Sequence, residues 1–98
     1  MIAYAASAIR QIDDLHQHFE DRERLEANLA LEAALNDAER KIQGNSAAWL
    51  AAPRPYPRLS APGRGWVKAG RYWVAFTTTS PPVIIAVFYD AADIPSRL

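Results

Sequence analysis

RYWVAFTTTSPPVIIAVFY, residues 71–89, is the stretch that decides the fold. From Arg71 to Thr77 the side chains alternate, with Tyr72, Val74 and Phe76 on one side and Trp73, Ala75 and Thr77 on the other. A period of two marks a strand, because successive side chains point to opposite faces. Val83 to Tyr89 is a nearly continuous run of β-branched and aromatic residues, as expected of a strand covered on both faces. Thr78 to Pro82 suits an antiparallel connection, and its two prolines, lacking an N–H, keep that end out of the ladder.

Working back from this hairpin, Trp66-Val67-Lys68-Ala69 reads as a further short strand. Asn45 to Gly65 is rich in proline and glycine and reads as one long loop, pinned to the body by Trp49, Leu50, Tyr56 and Leu59. Before it the period is helical. Ala27, Leu31, Ala34, Leu35, Ala38 and Ile42 form one stripe, which predicts a helix over about 22–43 stopped by Gly44 and Asn45. Ile9, Ile12, His16 and Phe19 predict another over about 7–20, with Ser7 as its cap. No glycine or proline parts the two helices, so a hairpin rests on the need of so short a chain to fold back on itself. Met1 to Ala6 can supply an opening strand. The order is β-α-α-β-β-β, and helices followed by strands point to an α+β domain: a helical hairpin on one face of a small antiparallel sheet. Residues 1–98 are expected to form a single domain, since the length is near the common domain size.

Composition narrows the function. The chain holds 11 basic and 11 acidic residues, but they are not evenly spread. Residues 1–49 are acidic on balance and residues 50–98 basic, with five bases and no acid from Arg54 to Arg71. A basic half is either the counterpart of the acidic helices or a face for an anionic partner. With no cysteine there is no disulfide scaffold, thiolate metal site or cysteine nucleophile. Met1 to Ala8 lacks the basic start of an export signal, and the longest apolar run, Pro81 to Tyr89, is about half of a membrane helix. A cytoplasmic protein without membrane contact is expected.

Catalytic constellations are scarce. His16 and His18 lie two apart on a helix and face different ways, so they cannot share a metal, and His16 falls on the apolar stripe. Asp13 and Asp14 diverge for the same reason. No serine sits in an elbow motif, and Gly63-Arg64-Gly65 is too short to cradle phosphate. No cofactor or metal is implied. Two surface features remain. Arg64, Trp66, Lys68, Arg71, Tyr72, Trp73 and Tyr89 interleave cations with rings, which suits nucleic acid as well as a plain sheet with a charged rim. Leu25 and Leu29 lie off the main stripe, where they serve either a partner or the packing of the hairpin.

The order of segments has a counterpart. The opening Ile2-Ala3-Tyr4-Ala5-Ala6, the Ala-Ile-x-x-Ile-x-x-Leu helix at 8–15, an alanine-rich second helix, a loop with prolines, RYWVAF at 71–76 and VIIAVFYDAADIPSRL at 83–98 resemble, over essentially the whole chain, the RelE/ParE superfamily of bacterial type II toxins. Asp93-Ile94 and Arg97-Leu98 after the last strand look like the close of ParE-type chains. The resemblance implies a hetero-oligomer with a small antitoxin, which would contact Leu25, Leu29 and Trp73. It further implies one of two targets. ParE-like members poison DNA gyrase by contact; RelE-like members cut messenger RNA on the ribosome with Lys, Arg and Tyr side chains. Lys68, Arg71 and Tyr89 can stand for that set. In Arg71-Tyr72-Trp73-Val74, however, tryptophan replaces the arginine of the RelE strand motif, and Asp90-Ala91-Ala92-Asp93 offers acids where a catalytic arginine is expected. An acid there repels phosphate. The histidine often found after the last strand of ParE chains is replaced by Tyr89 or Asp90, and the 53–62 loop is long. The expectation is a ParE-like toxin that meets its target through Arg58, Arg64, Lys68, Arg71, Asp93 and Arg97. The alternatives are a RelE-like endoribonuclease and a non-toxic module that still binds an antitoxin.

Overall fold

The computed structural model describes residues 2–44, 46–53 and 56–89. It is an α+β fold in the expected order: β1 (Ala3–Tyr4), α1 (Ala6–Asp21), α2 (Leu25–Gly44), two short 3-10 turns (Ser46–Ala48 and Pro57–Leu59), β2 (Arg64–Ala69), β3 (Tyr72–Thr77) and β4 (Val83–Phe88). The four strands form one sheet in the order β1-β4-β3-β2.

Strands β2, β3 and β4 are antiparallel neighbours. Gly70 opens the β2–β3 turn at φ +59°, which glycine adopts without steric cost. A bulge interrupts the β3–β4 ladder: Ala75 faces Ala86, yet Phe76 faces Ile84. β1 joins β4 in parallel, with Ala3 opposite Val83 and Tyr4 opposite Ile84. The sheet is therefore mixed at one edge. Two residues of β1 cannot satisfy all of β4, and α1 side chains complete the ladder. Ser7 Oγ donates to the Ile85 carbonyl at 3.0 Å, and Gln11 Oε1 accepts the Val87 N–H at 2.9 Å. Ser7 is thus not the cap of α1; Ala5 precedes the helix and caps nothing with its side chain.

The junction of the helices is a Schellman motif. Arg24 N–H reaches the Phe19 carbonyl at 2.8 Å, Glu23 N–H reaches the Glu20 carbonyl at 3.0 Å, and Glu23 has φ +54°. Glutamate holds the position that glycine usually takes, which is why the sequence shows no break. α2 consequently begins at Leu25 rather than near Arg22. Across the hairpin His16 ties the helices together, with Nδ1 2.9 Å from Asn28 Oδ1 and Nε2 2.8 Å from Glu32 Oε1.

Both faces of the sheet are covered. On one, Leu31, Ala34, Leu35, Ala38 and Ile42 of α2 and Ala8 and Phe19 of α1 pack on Val67, Val74, Phe76, Ile84 and Val87. Ile9, expected on the inner stripe, is 48% exposed, and Ala8 takes the buried place. On the other face Trp66, Trp73, Ala75, Ala86 and Phe88 lie beneath Leu50 and Leu59. The long loop is therefore a strap. Leu50 exchanges two backbone hydrogen bonds with Trp66, at 2.7 and 2.8 Å, and so pairs with the outer edge of β2.

Candidate functional site

The expected basic strip does not form one surface. Arg58 is exposed on the second 3-10 turn. Arg64 is half-buried, donates to the Leu59 carbonyl and lies 5.7 Å over the Trp66 ring, so it holds the strap down rather than facing a partner. Lys68 is exposed, its ammonium 5.7 Å over the Trp73 ring. Trp66, Lys68 and Trp73 thus share the strap side of the sheet. Arg71 is exposed at the β2–β3 turn and lines a cavity with Tyr72 and Tyr89. Asp93 and Arg97 lie outside the described residues.

The expected partner contacts divide in the same way. Leu25 and Leu29 are 70% and 61% exposed on α2. Trp73 is only 4% exposed, between Lys68 and the strap-side cluster, so it offers no surface to an antitoxin. The alternation of β3 placed Trp73 on the face away from the helices, but did not show that the strap closes that face.

Tyr89 is the centre of the most developed site. Its ring meets Tyr72 edge-on at 5.3 Å and Phe19 at 6.2 Å, both on the helix side of the sheet. Arg24, the last residue of the Schellman corner, sets its guanidinium 6.0 Å from the Phe19 ring. Two adjoining cavities of about 390 and 760 Å³ share Phe19, Arg24 and Tyr89 and form one groove between the hairpin corner and the end of the sheet. Gln11, Asp14 and His18 line its α1 end, and Gly70, Arg71 and Tyr72 its turn end.

The Tyr72 phenol is pushed up to about 12, first by burial and then by Tyr89, with Arg24 pulling the other way. At neutral pH it is a hydrogen-bond donor, not a base. Arg24 and Phe19 were missed by the sequence reading, which left Arg24 inside the second helix and placed Phe19 on the apolar stripe of the first. The signal was three-dimensional: the corner brings them over a strand end some fifty residues away.

Lys68, Arg71 and Tyr89, the set that could stand for ribonuclease chemistry, are not brought together. Arg71 and Tyr89 share the groove, whereas Lys68 stands on the opposite face. No protein-family model and no curated protein sequence matches the chain. Among the described residues no helix is long and apolar enough to cross a membrane, and no group of three His, Asp or Glu side chains could hold a metal ion.

Proposed function

We propose that the chain is the toxin of a bacterial type II toxin–antitoxin pair, of the ParE-like kind, which binds and inhibits DNA gyrase in the cytoplasm and is neutralised by a small cognate antitoxin. The reading is supported by the layout that the resemblance implies, a helical hairpin over a sheet in the order β-α-α-β-β-β. The observation that carries it is the separation of Lys68 from Arg71 and Tyr89 across the sheet. Phosphoryl chemistry needs its cations around one phosphate. Divided cations favour action by contact over that chemistry. Arg58 and Lys68 are the exposed cations for that contact on the strap side, and Arg71 adds one at the turn. Leu25 and Leu29 present an apolar pair, four residues apart on one helix face, to the antitoxin.

Supercoiling and cleavage assays with purified gyrase and the folded protein test the reading. Inhibition or trapped cleavage that disappears when antitoxin is added is expected, weakened by K68Q combined with R58Q at unchanged circular dichroism. An inert protein at excess refutes it. The Arg71–Tyr89 half of the ribonuclease set favours one second reading, a RelE-like messenger RNA endoribonuclease, which fragments messenger RNA within minutes of induction and leaves DNA intact. Normal growth after induction without antitoxin marks the non-toxic module instead.

A further inference from the structure

The groove beside Tyr89 has a chemistry that gyrase contact does not use. Tyr72 is 3% exposed, lines the groove, and has no hydrogen-bond partner for its hydroxyl among the described residues. Among the described residues the buried side-chain atoms without a partner are Arg64 Nε and Trp66 Nε1, so the Tyr72 hydroxyl is a donor open to the groove and not an orphan in the core. Arg24 and Arg71 both line the same cavity. Neither forms an ion pair among the described residues. Half-buried Tyr89 supplies ring surface, set edge-on against the buried Phe19 ring. Two cations and a neutral phenol donor suit a phosphate, since guanidinium and O–H both donate to it. The ring walls suit a planar aromatic group, which stacks without sequence preference. Carboxylates complete the lining: Asp14 at one end, Glu23 and Glu26 at the rim. They repel a second phosphate but accept hydrogen bonds from sugar hydroxyls.

We propose that this groove, organised by Phe19, Arg24, Arg71, Tyr72 and Tyr89, is a binding site for a nucleoside monophosphate, the phosphate held by Arg24, Arg71 and the Tyr72 hydroxyl and the base laid against the rings. A free nucleotide and one nucleotide of a single strand carry the same chemistry. The site does not depend on gyrase being the target, and its test contains no gyrase.

Isothermal titration of the full chain with AMP, GMP, CMP and UMP, and in parallel with adenosine and with inorganic phosphate, measures both halves of the ligand. Nucleotides are expected to bind at least tenfold more tightly than either adenosine or phosphate alone. Tyr72→Phe keeps the ring and removes one donor to an anion, and should weaken binding about tenfold. Arg71→Gln lies on an exposed turn and needs no fold to be preserved around it; together with Arg24→Gln it should weaken binding by a similar factor and flatten its salt dependence. Arg10→Gln, exposed on α1 and outside the groove, should change nothing. Short single-stranded DNA and RNA trimers separate the two sources. Equal affinity for trimer and monomer assigns a free nucleotide, and tighter trimer binding that the same variants abolish assigns a strand. The proposal is overturned by absence of nucleotide binding at millimolar concentration, by phosphate binding as well as AMP, or by nucleotide affinity that survives Tyr72→Phe and Arg71→Gln unchanged.

Discussion

Replacing Gly65 by alanine puts a methyl group where a ring already lies. Gly65 pairs with Phe76 across the β2–β3 ladder, and a Cβ built on it meets Phe76 Cζ at 2.6 Å, Cε1 at 3.0 Å and Cε2 at 3.1 Å. Real side-chain contacts are not that short, so something must move. The ring cannot move freely. Phe76 is fully buried, and Trp49 is set edge-on against it at 5.0 Å. Trp49 is in turn tied to α2 by its indole N–H, 3.1 Å from the Lys41 carbonyl. The glycine is required by this close approach, the ring covering the gap that its missing side chain leaves. Overpacking a core site costs about 1–3 kcal/mol. For a chain of this length that corresponds to a fall in Tm of about 5–15 °C. Urea denaturation followed by tryptophan fluorescence, with thermal melts in parallel, measures it. The double variant G65A/F76L relieves the contact, so its loss should be smaller than the sum of the two single losses by about 1 kcal/mol. A G65A protein within about 0.5 kcal/mol of the parent, or strictly additive losses, refutes the account of this strand pair.

Three other outcomes follow from the same structure. Glu23→Gly should stabilise the protein by about 1 kcal/mol, since it places glycine at a left-handed corner; denaturant midpoints check it. On the proposed reading, Leu25→Ser with Leu29→Ser should leave stability within about 0.5 kcal/mol while abolishing co-purification with a cognate antitoxin, because both side chains are exposed in the free chain. Asp37 is held below its usual carboxylate value by hydrogen bonds from Lys41 and Arg40, at 3.0 and 3.1 Å. A depressed folded-state value contributes stability that is present above the ordinary value of 3.8 and is lost as pH falls through the lowered one. Stability curves of Asp37→Asn and the parent should therefore converge at the acid end and part as pH rises past that window.

Elements with a strong period were legible, and what covered them was not. The stripe from Leu31 to Ile42 is buried as its spacing requires, and Leu25 and Leu29 fall outside it and are exposed. β3 and β4 stand where alternation and β-branched content place them. The hairpin corner was blurred because Glu23 fills a glycine position, leaving nothing in the composition to mark it. The parallel pairing of β1 with β4 depends on two residues meeting a strand eighty positions away, and no local pattern encodes that. Trp73 was misjudged for a related reason. Period two assigns a face, but the partner on that face is a proline-rich strap whose sequence announces only a loop. The groove suffered most, because Phe19 and Arg24 acquire their role only when the corner closes over the sheet.

The basic half of the chain bears on the choice between contact and catalysis. Had its five cations from Arg54 to Arg71 formed one patch, either reading would have been open. The described ones instead serve different structures. Arg64 holds the strap to Trp66, Lys68 sits on Trp73, Arg58 projects from the strap itself, and Arg71 belongs to the groove across the sheet. A set acting on one phosphate must converge on it, which cations split between two faces of a sheet do not do. A contact surface needs only exposed charge of one sign on a rigid support, and on the proposed reading Arg58 of the strap and Lys68 of β2 provide it. On the proposed reading, shortening the strap removes Arg58 and should cost target binding, while the exposed Leu25–Leu29 pair on α2 keeps its antitoxin contact.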